Sequence, residues 1–141
     1  MTIVEMLERN ANLFPKKTAI IYKKDKISYE EFYDNTNALS NFLKNIGFKK
    51  GESVGILTKK DPNAIIAFIG VAAAGGIVFP IDYNQTVNNL QYVLNLIKPS
   101  VLIIAAYFQP MLLKVNLPCS DDKVIVIGEK AKINTIHGGR F

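Results

Sequence analysis

Cysteine is almost missing from this chain: Cys119 is the single one in 141 residues, so no internal disulfide can form and a disulfide-built secreted scaffold is excluded. Such usage suits a reducing cytoplasm. Histidine is as scarce. His137 has neither a second histidine nor a nearby cysteine to share a metal with, which argues against a zinc site. Cys119 and His137 would make a nucleophile and base only if folding brought them together, and nothing in their spacing requires it. Basic clusters are missing too. The 17 Lys and Arg against 12 Asp and Glu give a formal net charge of +5, but the cations are spread from Arg9 to Arg140. Direct nucleic-acid binding is therefore not expected.

A signal peptide is not expected either, since Met1 to Phe14 carries Glu5, Glu8 and Arg9 among its apolar residues. There is no internal repeat, no low-complexity tract and no linker long enough to divide the chain. One uncharged run, Ala64 to Ile81, reaches the lower limit of a membrane-spanning helix. Its grammar is wrong for one: Gly75-Gly76 interrupt it, Pro80 would kink it, and Ile77-Val78-Phe79 is β-branched and aromatic. A buried helix followed by a buried strand accounts for the same residues, and no membrane span is expected. What is present is core material. Hydrophobic residues make up 49% and charged residues 21%, enough to fold one domain and too apolar for intrinsic disorder.

Periodicity places the elements. Ile3, Met6, Leu7, Ala11 and Phe14 recur at helical spacing before Pro15, which predicts a short amphipathic opening helix. Thr18 to Tyr22 is β-rich, Lys23 to Lys26 is turn-like and Ile27 resumes an apolar strand position, which predicts a hairpin. Ser28 with Glu31 three residues on has the form of a capping box. Behind it Phe32, Thr36, Leu39, Leu43 and Ile46 form one helical stripe, and Gly47 supplies a left-handed stop. Ser53 to Leu57 reads as a strand buried on both faces. Asp61-Pro62 is an N-cap with proline at the first helical position, opening a helix to about Ala74 that is apolar on nearly every face and so should be enclosed. Ile77 to Ile81 reads as the next strand. Thr86 caps a helix with Leu90, Val93, Leu94 and Ile97 inward, stopped by Pro99. Val101 to Ile104 is a strand, Tyr107 to Lys114 a short helix, and Lys123 to Ile127 the last strand. The fold class predicted is α/β: a mainly parallel sheet with helices on both faces, preceded by a short helix and a β-hairpin. The tail, Ala131 to Phe141, has no periodicity and is expected to be loosely held.

An α/β sheet binds ligands beyond the carboxyl ends of its strands, and the loops there are poor in catalytic groups. After Leu57 come Thr58, Lys59, Lys60 and Asp61, which read best as a solvated turn ending in an N-cap. After Ile81 come Asp82, Tyr83, Asn84 and Gln85, which could bind a polar ligand but more simply cap the following helix. After Ile104 come Tyr107 and Gln109, with nothing ionisable. A phosphate loop needs closely spaced glycines opening a helix. Gly75-Gly76 instead precede a strand and read as a helix stop, and Gly138-Gly139 lie in the tail. Glu30-Glu31 fall in a helix first turn, where they suit its dipole. Asp121-Asp122 precede a strand rather than follow one. Both acidic pairs read as structural.

Two stretches together carry a resemblance. Ile27-Ser28-Tyr29-Glu30-Glu31-Phe32 resembles the first core motif of the AMP-forming adenylate synthetases, the superfamily of acyl-CoA synthetases, aryl acid ligases and peptide synthetase adenylation domains. Ala73-Ala74-Gly75-Gly76-Ile77-Val78-Phe79-Pro80-Ile81-Asp82 resembles its second. The order between them agrees: a helix ending near Gly47, the turn Lys50-Gly51-Glu52, the strand Ser53 to Leu57, then an apolar helix. Phe14-Pro15-Lys16-Lys17-Thr18-Ala19-Ile20 is similar to the family's usual start, and Val101-Leu102-Ile103-Ile104 follows in place. The likeness covers about residues 3 to 128.

The resemblance implies the first subdomain of an adenylate-forming ligase, with residues 1–128 as the N-terminal part of an AMP-binding domain and 129–141 as a tail or truncated continuation. It implies a parent enzyme that joins a carboxylic acid to ATP, with Mg, as an acyl adenylate and then passes the acyl group to a thiol. The partners implied are the remainder of its own polypeptide, the acid, and CoA or a carrier-protein thiol. The family's phosphate loop, ribose-binding Asp and catalytic Lys all belong to later parts of such proteins. No catalytic role can be carried over to any residue here, no cofactor-binding residue is assigned, and no metal ligand is expected. The chain alone is expected to be inactive and to bind no cofactor, because it lacks the groups that would stabilise a pentavalent phosphorus. It is also expected to show an apolar patch where the missing part packed, with a tendency to dimerise. The alternative is a non-catalytic α/β binding or dimerisation module. Acid identity and thiol acceptor stay open, although Pro80-Ile81-Asp82 is nearer the adenylation-domain form.

Overall fold

The computed structural model describes residues 1–128 and 137–138. Its elements follow in the order α1 (Ile3–Leu13), β1 (Thr18–Tyr22), β2 (Asp25–Ser28), α2 (Tyr29–Asn45), β3 (Ser53–Leu57), α3 (Pro62–Ala73), β4 (Ile77–Pro80), α4 (Val87–Ile97), β5 (Val101–Ala105), α5 (Gln109–Leu112), β6 (Val124–Ile127) and β7 (His137–Gly138). Local signals set most of the boundaries. Ser28 Oγ accepts from the Glu31 amide at 3.2 Å while Glu31 Oε2 accepts from the Ser28 amide at 3.0 Å, so two otherwise orphaned donors are satisfied at the start of α2. Thr2 and Glu5 build the same box at α1. Gly47 takes the left-handed conformation expected of a stop, with φ 86°.

The strands form two sheets. β1 and β2 are an antiparallel hairpin, while the main sheet runs β4-β3-β5-β6-β7, parallel except for the last pair. Side-chain alternation then builds two cores. Val54, Ile56, Val101, Ile103, Ile125 and Ile127 face α2 and α3, whereas Leu102, Ile104, Val124 and Val126 face α4 and α5. A third cluster, Leu7, Ile27, Phe32, Ile66 and Ile69, seats α1 and the hairpin on the outer side of α2 and α3. Fully enclosed side chains such as Leu39 and Leu43 each contribute about 1.5–3 kcal/mol by burial. The α/β class, the parallel sheet and the leading helix and hairpin all agree with expectation.

Four details differ. The hairpin turn is tighter than read, only Lys23-Lys24, because Asp25 already pairs with Tyr22. Residues 106–108 form a 3-10 turn before α5, and Lys123 ends a second 3-10 turn before β6. The third is α3, which is not enclosed: Ile65 is 44% exposed. The fourth is β4, which is not buried. It is the edge of the sheet, with Ile77 55% and Phe79 40% exposed. The place of β4 follows from the topology, since α4 carries the chain across β3 to place β5 on its far side and leaves β4 without a second neighbour. Of the tail expected to be loose, His137–Gly138 pairs with Val126 and Ile125, and the other residues of 131–141 lie outside the described ones.

Candidate functional site at the carboxyl ends of the strands

Chain reversal in the sheet defines where a ligand would go. From β3 the chain passes through α3 on one face, and from β5 through α5 on the other, so the loops leaving the paired ends of β3 and β5 run to opposite faces, the arrangement that makes a switch-point crevice. Lys59 from the first loop and Tyr107 from the second meet across it, with Nζ 3.8 Å from the ring centroid. Tyr107 in turn stands edge-on to Phe108 at 5.1 Å. The crevice is thus spanned by a cation–π contact between two exposed side chains.

One strand over, a groove of about 360 Å³ lies between α3 and β4. Its floor is apolar, with Ile65, Phe68, Pro80 and Ile81, and Lys60 and Asp82 stand at its end. The polar residues of the neighbouring loops are already engaged. Asp61 Oδ1 accepts from the Asn63 and Ala64 amides at 2.9 and 3.4 Å, the capping role expected of it. Asp82 Oδ1 accepts from the Asn84 amide at 2.9 Å, and Thr86 Oγ1 from the Asn89 amide at 3.2 Å, so this loop is built to turn and to cap.

These residues do not fit the triphosphate that the resemblance implies. A phosphate at the start of α3 would meet the Asp61 carboxylate on the amides it needs. Among the described residues there is no group of three His, Cys, Asp or Glu able to hold a metal ion. Gly75, at φ 81°, accepts the Gly51 amide, and a Cβ on Gly76 would stand 2.6 Å from Phe48 Cζ. That pair is a helix stop and a close-packed turn, as read. Glu31 belongs to its capping box and Glu30 pairs with Lys16 at the surface. Asp122 is held below the usual carboxylate range by the Ser120 hydroxyl. Burial, then the nearby Asp122, pushes the Cys119 thiol up, the opposite of an activated nucleophile. The side chain of His137 lies outside the described residues.

One residue at these strand ends escaped the sequence reading. Asn63 is 3% exposed and donates through Nδ2 to the Gly128 carbonyl at 3.0 Å, tying the first turn of α3 to the end of β6 across 65 residues. Its Oδ1 is buried with no hydrogen-bond partner among the described residues. An Asn two places after an Asp cap carries no mark of such a contact.

The sequence model of a family described as AMP-binding enzyme matches residues 7–137, and the chain belongs to that family. The chain is 30% identical over 95 residues to 4-hydroxybutyrate–CoA ligase 2 of Metallosphaera sedula, a match covering 67% of this chain and 17% of that protein. It is 29% identical over 129 residues to a long-chain-fatty-acid–CoA ligase of Bacillus subtilis, covering 92% of this chain and 23% of that one. The benzoate CoA ligase of Burkholderia xenovorans superposes with a TM-score of 0.80 over 99% of this chain and 29% of that chain, at 16% identity, and so shares the fold. The chain therefore spans about a fifth of the curated ligases it resembles in sequence. No helix among the described residues is long and apolar enough to cross a membrane.

Proposed function

We propose that this chain is the N-terminal scaffold of an ATP-dependent, AMP-forming ligase acting in the cytoplasm. In the intact enzyme a carboxylate oxygen attacks the α-phosphorus of ATP, with Mg, to give an acyl adenylate and pyrophosphate. A thiol, of CoA or of a carrier protein, then takes the acyl group and releases AMP. Residues 1–128 contribute the sheet and its flanking helices to the AMP-binding domain, and the chain alone forms no adenylate. The single observation that carries this reading is the family match over residues 7–137. It agrees with the chemistry of the strand ends, where every carboxylate in the loops after β3 and β4 is committed to capping or turning.

The test is exchange of labelled pyrophosphate into ATP across a panel of fatty, aryl and amino acids. The intact protein is expected to show exchange dependent on one acid class, and residues 1–141 alone none. Exchange by the short chain would overturn the scaffold reading, and silence of the intact protein across the whole panel would overturn the ligase reading.

A further inference from the structure

Helix α1 is buried on one face only, through Leu7 and Ala11, and its exposed half divides into two unlike flanks. Ile3, Met6 and Leu13 fall on one flank by helical spacing, with Arg9 between Met6 and Leu13, and the three apolar side chains are each half exposed or more. Glu5 and Glu8 fall on the other. Both acids are committed, since Glu5 closes the capping box with Thr2 and Glu8 Oε1 accepts from the Tyr33 hydroxyl of α2 at 3.1 Å. The acidic flank is thus turned to α2 and the apolar one away from it.

The residues that leave α1 continue the apolar flank. Phe14 is half exposed, and Lys17 Nζ stands 5.5 Å from its ring centroid, so the Lys stem runs along an aromatic face while its ammonium stays at the surface. Charge follows the same distribution. Residues 1–28 hold six cations against three acids, whereas the rest of the chain holds eleven against nine. Apolar side chains that meet water singly are ordinary surface. Four together on one side of a helix, with cations beside them and no acid among them, are the pattern of a helix that lies in a lipid interface.

We propose that the Ile3-Met6-Leu13 flank of α1, with Phe14, Arg9 and Lys17, docks on an anionic lipid surface, the apolar side chains entering the boundary of the acyl chains and the two cations meeting the headgroup anions. The occupant is assigned from charge. A second copy placed face to face on this flank would set Arg9 and Lys17 against their own counterparts, and a neutral bilayer would offer neither an opposite charge.

Flotation of the intact protein with lipid vesicles tests this. Binding to vesicles of equal parts phosphatidylcholine and phosphatidylglycerol is expected to be at least about 10-fold tighter than to phosphatidylcholine alone, and Met6→Glu combined with Leu13→Glu is expected to weaken it at least about 30-fold. Leu113→Glu, at an equally exposed apolar position beside α5 on the opposite face of the sheet, is expected to change it by less than about twofold. No binding, equal binding to both vesicles, an undiminished double variant or an equal loss in Leu113→Glu overturns the inference. A urea midpoint that falls together with binding in the double variant overturns it too, because the flank would then belong to the protein's own packing. Met6→Cys carrying a polarity-sensitive dye, in a Cys119→Ser background with other cysteines replaced, gives a second reading without a buried charge. Its emission is expected to be quenched by iodide in solution and to shift to the blue, protected from iodide, on the anionic vesicles. Protection from iodide before vesicles are added overturns the proposal and makes a later segment of the polypeptide or a second copy the occupant.

Discussion

Two edge strands of this molecule meet water with opposite chemistry. The hairpin carries Lys23, Lys24, Asp25 and Lys26 at its exposed tip and buries only Ile27 among its residues, whereas β4 exposes Ile77, Phe79 and Pro80 and carries no charge. Charge is one way to keep an edge wet, because each solvated Lys opposes pairing with another chain. The hairpin is such an edge. β4 is guarded in another way: it is four residues long and Pro80 removes an outward donor, so one edge is protected by charge and the other by brevity and proline.

Charge substitutions should break the comparison most strongly. We predict that Phe79→Lys lowers stability by about 2 kcal/mol, because it exchanges the apolar contacts of a side chain only 40% exposed for a charge that must reach water, while Ile21→Lys on the hairpin, where the native side chain is 69% exposed, changes it by no more than about 0.5 kcal/mol. Urea midpoints at constant slope read both, and equal effects would erase the distinction.

The turns that enter the two strands differ next. Gly76→Ala places a methyl 2.6 Å from Phe48 Cζ and 2.8 Å from Val71 Cγ1, so a loss of about 1–3 kcal/mol is expected from overpacking. A neutral thermal midpoint would show that this turn is looser than its contacts imply. At the hairpin's exit, Ser28→Ala removes the cap of α2 and should cost about 1 kcal/mol, while Glu31→Gln, which preserves the box, should cost far less. Equal losses in the two variants would mean that charge and not the reciprocal hydrogen bonds matters there. The smallest effect belongs to the hairpin turn. Lys23 sits at φ 54°, where glycine suffers no Cβ clash, so Lys23→Gly should gain about 0.5 kcal/mol. A loss would show that its contact with the Tyr22 ring, 5.3 Å away, outweighs the backbone strain.

Much of this architecture was legible in the sequence because the signals are local. The Ser28-Glu31 box, the Asp61-Pro62 cap, Gly47 and the Gly75-Gly76 stop each depend on residues within one turn of themselves, and each does in the structure what its spacing says. The apolar stripe of α2 is buried from Phe32 to Leu43 as its period requires. At the strand ends the capping roles read for Asp61 and Thr86 hold as well. The Lys59–Tyr107 bridge and the Asn63–Gly128 tie were not legible, since their partners are 48 and 65 residues apart and neither pair bears a mark of the other.

What the sequence determined by itself was therefore the identity and order of the elements, their caps, and the two motifs that tie the chain to its family. Hydrophobic period, capping geometry and turn chemistry act over a few residues and survive in any tertiary context. Which strand became an edge was decided only by the tertiary structure. An uncharged, β-branched run such as Ile77-Val78-Phe79 has the same local composition whether it lies at the centre of a sheet or at its margin. Its place follows from α4 carrying β5 to the far side of β3, a choice made by the packing of Leu90 and Leu94 against the sheet and invisible in the strand itself.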